Sequence, residues 1–263
     1  MEEHFCRHEK LDEVLAAETN YPLQQFYLIP WLWQFFAQHR REVEEKRSKL
    51  AVLYRWYFFL GIDVAFHLIV LLLSRCLRSR YCIRFFFRRI APWVVIQRWK
   101  VVDKSQDMLT MEHELFRHIE IEICVKRSRL AGSIAFVTEL IKHFDGDEAA
   151  FSSSTRKELE TLGLWDDLEE RRGSYTHNYQ ICVRRIFPDE TLMSMASGTD
   201  EPYYSISFIS YARPSGRHGF QSFAESLSRT MAALFDGRPH WGEGLPIDSG
   251  RSVSSLRPPS RIS

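Results

Sequence analysis

The sequence predicts an α+β fold: an antiparallel, ferredoxin-like sheet covered by helices, with an inserted helical block. Three observations carry that expectation. The segments FRHIEIEICV (116–125), QICVRRI (180–186) and YYSISFISY (203–211) alternate between side-chain types, as strands with one face on a core must. Apolar residues at helical spacing follow the first and the last of these strands. The order from residue 116 is therefore strand, helix, strand, strand, helix, which suits a sheet with helices packed on one face.

Taken from the start, residues 1–20 are polar and charged and read as an N-terminal segment outside the main domain. FYLIPWLWQFF (26–36) is apolar and aromatic and reads as a strand broken at Pro30, because proline donates no hydrogen bond to a ladder. From about 40 to 95 the pattern is helical, with charges mixed into apolar spacing and Pro92 as its expected end. In 116–125, Ile119, Ile121, Ile123 and Val125 share one face, and His118, Glu120, Glu122 and Cys124 the other. Ser128 is placed to cap a helix whose inner face is Leu130, Ile134, Val137, Ile141 and Phe144. Residues 145–178 read as irregular with a short helix near 155–162, and PDET (188–191) supplies a turn. The last helix carries Phe220, Phe223, Leu227, Met231 and Leu234 on one side. The tail, 246–263, is rich in serine, arginine and proline, has little to bury and reads as disordered.

Composition narrows the function classes. The 263 residues are 45% apolar, which is ample for a packed core, and the net charge of +1 provides no global field for nucleic acid. Five cysteines without a CxxC pair argue for reduced thiols in an intracellular compartment and against a disulfide scaffold or a zinc site. His118, Glu120 and Glu122 share a strand face, but alternating charges on the outward face of a half-buried strand are ordinary, so no metal is expected there. WYFFLGIDVAFHLIVLLL (56–73) just reaches the roughly 18 residues a spanning helix needs. Asp63 lies inside it, at a cost of roughly 3 kcal/mol at a bilayer centre. Asp63 and His67 are spaced to pair on one helix face, which favours a buried or interfacial helix over a span. The stretch RFFFRR (84–89) leaves peripheral membrane association open, so the expected location is the cytoplasm or the surface of an intracellular membrane.

The segment MAALFDGRPHWGE (231–243) ends a helix at Gly237, blocks its continuation at Pro239 and follows with His240 and Trp241. It resembles the HWGK or HWAK signature of sugar-lactone and alditol oxidases in the vanillyl-alcohol-oxidase flavoprotein superfamily, which includes D-arabinono-1,4-lactone oxidase. Glu243 stands where the signature has lysine. Other segments resemble the same family in order over about residues 20–245. FYLIPWLW (26–33) is similar to the stretch that opens its substrate domain. CVRRIFPDETLMS is similar to its ExR segment, with Arg184 on the arginine and Cys182 in place of the glutamate. Within 101–130, Glu122 falls on a strand glutamate of the family, and Lys126 replaces a proline.

The resemblance implies a substrate (cap) domain over 21–245, with the helical insertion at about 40–95. It also implies FAD as cofactor and a sugar lactone or alditol as substrate, with oxygen as acceptor. Arg184 would stabilise the alkoxide, since a guanidinium stays charged and offers donors in a fixed fork. Glu122 would shape the pocket, and His240 and Trp241 would lie beside the flavin. Glycine-rich phosphate-binding turns are absent from the sequence, so the FAD-binding domain is expected as a partner in cis or in trans. The alternative is a non-catalytic interaction or membrane-associated protein derived from such an oxidase. Its support is Glu243, where a carboxylate would repel developing negative charge, and the apolar helix with its arginine flank.

Overall fold

The computed structural model describes residues 1–77, 79–109, 118–191, 193–198, 200–211 and 217–240. Its centre is an 8-stranded sheet in the order β4-β1-β3-β2-β6-β7-β5-β8. The strands are β1 (Glu2–His8), β2 (Gln25–Ile29), β3 (Gln34–Arg41), β4 (Val101–Val102), β5 (Ile119–Lys126), β6 (Ile181–Ile186), β7 (Tyr203–Ser210) and β8 (Arg238–Pro239). All neighbours are antiparallel. Two long helices, α7 (Arg127–Phe144) and α10 (Arg217–Phe235), lie within the run β5–α7–β6–β7–α10–β8. The spatial order β8-β5-β7-β6 then gives the ferredoxin-like pattern the alternation predicts.

The core lies between α7 and α10 and one face of the sheet. Phe26, Val183, Ile206 and Ile123 form one row across the strands, and Leu28, Ile181, Phe208 and Ile121 the next. Phe223 of α10 meets Phe208 at 5.8 Å and Phe144 of α7 at 5.4 Å between ring centroids. Leu130, Ile134, Val137, Ile141 and Phe144 are all buried, as are Phe220, Phe223, Leu227 and Met231.

The first hundred residues depart further from the expectation. The polar start forms β1 and then α1 (Leu11–Ala16). β1 escapes its composition because its two buried carboxylates are paired: Arg41 Nη2 lies 3.0 Å from Glu2, and Arg40 binds Glu3. HRR, read as part of a helix start, is the end of β3, and helix begins only at α2 (Ala51–Tyr57). From there wide π-helical turns, Phe58–Phe66, lead into α3 (His67–Leu71), a second set, Leu72–Leu77, follows it, and a third, Phe86–Ile90, joins α4 (Arg80–Phe85) to α5 (Ala91–Val94). Pro92 sits in the first turn of α5, where its missing N–H is harmless, so it opens a helix instead of ending one. α6 (Ser105–Leu109) follows β4. The insertion rests on the sheet face opposite α7 and α10: Phe58 stacks on Phe5 at 5.5 Å, and the Tyr54 hydroxyl donates to Glu3 at 2.7 Å.

Smaller differences concern helix ends. Lys126, not Ser128, is the N-cap of α7, and the Ser128 N–H and hydroxyl both donate to Glu201, at 2.7 and 2.8 Å. Residues 145–178 hold α8 (Ser153–Thr161), as expected, and also α9 (Trp165–Glu170).

One buried ion group ties the N-terminal region to this half. Glu18, 5% exposed, accepts from the Tyr204 hydroxyl at 2.6 Å and from Arg127 Nη1 at 2.6 Å. Glu18→Gln is expected to cost about 2–4 kcal/mol, below the full value for a buried pair because Arg127 is partly in solvent. Urea unfolding reads this directly; a loss under about 0.5 kcal/mol would mean the group behaves as a surface pair.

Candidate functional site

The face that α7 and α10 leave uncovered carries polar side chains in register. Strand pairing puts Glu122 of β5 beside Ser207 of β7, then Cys182 of β6, then Tyr27 of β2. The neighbouring row is Cys124, Ser205, Arg184, Gln25 and, on β3, Gln38. Alternation along each strand forces this: the residues flanking Arg184 and Glu122 belong to the opposite, apolar face.

Hydrogen bonds hold the two rows together. The Ser205 hydroxyl donates to Glu122 Oε1, and the Ser207 hydroxyl approaches the same oxygen at 3.4 Å. Gln25 Nε2 donates to Gln38 and, at 2.6 Å, to the Tyr27 hydroxyl. Arg184 stands among these groups with its side chain exposed. Loss of hydration beside the sheet works against its charge, but Cys182, Glu122, Tyr27 and Glu120 outweigh that and raise its pKa. Burial pushes the Cys182 thiol up to about 11 although Arg184 pulls it down, so it is protonated at neutral pH.

The helical insertion supplies the rim. His67 Nε2 is 2.8 Å from the Tyr179 hydroxyl, while its Nδ1 is 2.8 Å from the Ile62 carbonyl. Tyr211 packs against Tyr179 at 5.3 Å and against His118 at 5.9 Å, and His118 Nε2 lies 3.4 Å from Glu120.

The other end of the row is set by the helix stop. α10 ends at Phe235, Asp236 takes a left-handed φ of 55°, and the Gly237 N–H donates to the Met231 carbonyl at 3.0 Å. A Cβ on Gly237 would lie 3.0 Å from that carbonyl oxygen and 3.1 Å from Ile123, so only glycine lets β8 come this close to β5. Arg238 then pairs with Cys124 and Pro239 with Ile123, and the His240 N–H donates to the Glu122 carbonyl at 2.9 Å.

Of the residues singled out by sequence, Arg184 and Glu122 share this face, and the His240 backbone is bonded to Glu122. Trp241, Glu243 and the tail lie outside the described residues. Ser205, Ser207, Gln25, Tyr27, Gln38 and the His67–Tyr179 pair were not anticipated. The serines had a signal: in YYSISFISY they alternate with Ile206 and Phe208, marking a polar face of small hydroxyl groups.

A guanidinium next to a carboxylate that is fixed by hydroxyls suits a polyhydroxylated substrate. The cation can hold an oxygen on which negative charge develops, and the carboxylate can accept from a neighbouring hydroxyl. This donor set fits the substrate side of a flavin. It does not fit the dinucleotide end: among the described residues the positive-φ glycines Gly146, Gly163, Gly173 and Gly198 occur singly, not as a run of N–H groups around a phosphate.

The sequence profile of the D-arabinono-1,4-lactone oxidase family matches residues 9–244. A protein described as a long-chain alcohol oxidase, from an uncultured marine euryarchaeote, is 47% identical over 258 residues. That alignment covers 98% of this chain and 54% of the relative, so the chain spans about half the relative's length. Similar solved structures include the cholesterol oxidase from B. sterolicum, at 10% identity and TM-score 0.45, covering 94% of this chain and 50% of that one. A solvent-stable cholesterol oxidase matches at 10% identity and TM-score 0.46, covering 93% and 49%.

Proposed function

Because the chain belongs to the D-arabinono-1,4-lactone oxidase family, a family of FAD-linked oxidases, we propose that it forms the substrate-binding part of such an enzyme. The reaction is oxidation of a hydroxyl-bearing carbon of a sugar lactone or alditol, with oxygen as the final acceptor. The observation that carries the reading is the placement of Arg184 and Glu122 together on the sheet face opposite α7 and α10, with Ser205 between their strands.

Bound FAD supplies the hydride acceptor, held in the main by a flavin-binding domain in cis or in trans. His240, whose backbone N–H bonds the Glu122 carbonyl, and Trp241, the next residue in sequence, are the residues of this chain that would lie against its ring. Arg184 would donate to the hydroxyl oxygen on the carbon being oxidised, which lowers the energy of its alkoxide form as the hydroxyl proton passes to solvent. Glu122, held by Ser205 and Ser207, accepts from a second hydroxyl and fixes which carbon is presented. Tyr27 and Tyr179 keep their phenol protons, because burial raises both pKa values, and act as neutral donors.

The test is oxygen uptake and peroxide release by the FAD-loaded protein with D-arabinono-1,4-lactone, an alditol and a long-chain primary alcohol. Faster turnover of the lactone or alditol is expected. Turnover of the alkyl alcohol alone would change the substrate class, and none with any of them would favour a non-catalytic role.

A specific surface supports membrane association as a companion property. Among the described residues one helix, Ala51–Cys76, is long and apolar enough to cross a membrane, and only 17% of its most apolar window is buried. Leu53, Trp56, Leu60, Leu68 and Leu72 on it are exposed, together with Phe85, Tyr81 and Trp93 from the following helices. Arg88 and Arg89 are exposed beside them. Apolar side chains, amphipathic aromatics and arginines in one block suit the surface of an anionic bilayer. The protein is expected to bind phosphatidylserine vesicles in preference to phosphatidylcholine ones. Reversing both arginines to glutamate should weaken binding roughly tenfold or more. Equal binding to neutral vesicles would remove the role of the arginines.

A further inference from the structure

Strand β1 reads HFCRH over residues 4–8, which sends His4, Cys6 and His8 to one face. That face is opposite the candidate site: on the partner strand β3, Gln38 belongs to the polar rows, and the next residue, His39, points the other way. His39 pairs directly with His4 in the ladder. One ligand atom each from His4, Cys6 and His39 lies within 4.8 Å of the other two. The His39 ring is 5.2 Å from that of His4 and 5.7 Å from that of His8.

The surroundings orient these rings as ligands. Gln24 Nε2 donates to the Val14 carbonyl at 2.8 Å, so its Oε1 faces His39 Nδ1, also at 2.8 Å. His39 Nδ1 must then carry the proton, and Nε2 keeps its lone pair. His8 has the same arrangement, with Nδ1 3.4 Å from Glu13 and a buried Nε2 that has no hydrogen-bond partner. His4 Nδ1 is likewise buried without a hydrogen bond, its nearest carboxylate oxygen being 3.9 Å away on Glu2. Buried ring nitrogens left unsatisfied are costly unless something binds them.

We propose that His4, Cys6 and His39 form a structural zinc(II) site that fastens β1 to β3, with the fourth position taken by water or by His8. Two imidazoles and one thiolate are a borderline-soft set that suits tetrahedral zinc. Beyond Glu3 the β4 ladder ends and the Arg98 N–H donates to the Phe5 carbonyl at 2.8 Å, so a metal would reinforce the pairing of β1 with β3 along this stretch. Binding forms the zinc–sulfur bond and breaks the Cys6 S–H, with the proton going to solvent. Because binding releases this proton, affinity should increase with pH. The site is independent of the oxidase reading, since it lies on the other face of the sheet. Sequence spacing without CxxC argued against zinc; what assembles these ligands is strand pairing across 35 residues, from His4 to His39.

Cobalt(II), titrated into the metal-free full chain, is the probe. One equivalent per chain is expected, with a sulfur-to-cobalt charge-transfer band, tetrahedral d–d bands and displacement by zinc(II). Cys6→Ser should abolish the charge-transfer band, whereas Cys76→Ser, at an exposed cysteine, should leave it unchanged. Gln24→Ala should weaken zinc binding by about 10–100-fold through loss of ring orientation. Absence of a stoichiometric band overturns the proposal. So does a band that survives Cys6→Ser. If His39→Gln does not fold, Cys6→Ser at the half-buried edge still decides the matter.

Discussion

Arg184→Ala in the FAD-loaded oxidase is expected to lower kcat by about 100–1000-fold, the usual loss when one donor to a developing oxyanion is removed. Fold stability should change little, because the side chain is exposed and its β-strand neighbours remain paired. The size of the effect follows from the surroundings. Cys182 beside Arg184 is neutral and Tyr27 keeps its proton, so neither the thiol nor the phenol neutralises the guanidinium in these strand rows. Arg184→Lys should recover part of the loss, since the charge returns without the two-pronged geometry. The loss should fall on kcat more than on KM, because the interaction strengthens as the alkoxide forms. A uniform rise in KM with kcat intact would make Arg184 a binding residue only.

Acid is expected to destabilise the fold steeply between about pH 6.5 and 4.5, before most carboxylates titrate. His177 is fully buried between Phe208 and Phe223, at 6.0 and 5.9 Å, and its Trp31-bonded backbone is buried too. Burial lowers its pKa from 6.5 to about 3. His39 is lowered from 6.5 to about 4 by burial and by His4 and His8. For both, the folded value lies below the unfolded one, so below pH 6.5 the unfolded chain takes up protons that the folded chain refuses. Their contribution is complete above pH 6.5 and is lost as the pH falls through that value towards 4. Each group contributes about 1.4 kcal/mol per pH unit in that window, so two of them remove roughly 5 kcal/mol by about pH 4.5. That is comparable with the whole stability of many domains. Glu2 and Asp189, whose pKa values are lowered, act at lower pH still. Urea midpoints measured across this range should fall with pH, and His177→Phe should remove about half the slope. A flat profile from pH 6.5 to 4.5 would show that neither ring is kept neutral by the fold.

What could be read from the sequence follows from how each strand meets the core. β5, β6 and β7 have one apolar and one polar face, so their alternation identified both the strands and the side on which Arg184 and Glu122 stand. β1 has no such signature: its inner face holds histidines and a cysteine, and its glutamates are buried only because Arg40 and Arg41 arrive from β3. HRR looked helical for the same reason, since charges that serve in cross-strand pairs look solvated when the partner strand is not in view. β8 covers only Arg238–Pro239, too short to leave a pattern, although Gly237 and Pro239 correctly marked the end of the helix before it. The bonding of Ser205 and Ser207 to Glu122 depends on register between strands about 80 residues apart, which local pattern does not encode.

The most direct test of the central claim, that Arg184 and Glu122 face the substrate of a flavin oxidase, is single-turnover flavin bleaching. The FAD-loaded protein is mixed without oxygen with D-arabinono-1,4-lactone, and loss of oxidised-flavin absorbance is followed for wild type, Arg184→Ala and Arg185→Ala. Arg185 belongs to the opposite face of β6, where it pairs with Tyr204 and stacks over Phe187 at 4.7 Å. The account predicts rapid bleaching in wild type and Arg185→Ala, and a rate lower by about 100-fold or more in Arg184→Ala. Equal rates for the two variants, or a flavin that the lactone leaves oxidised in all three proteins, would contradict it.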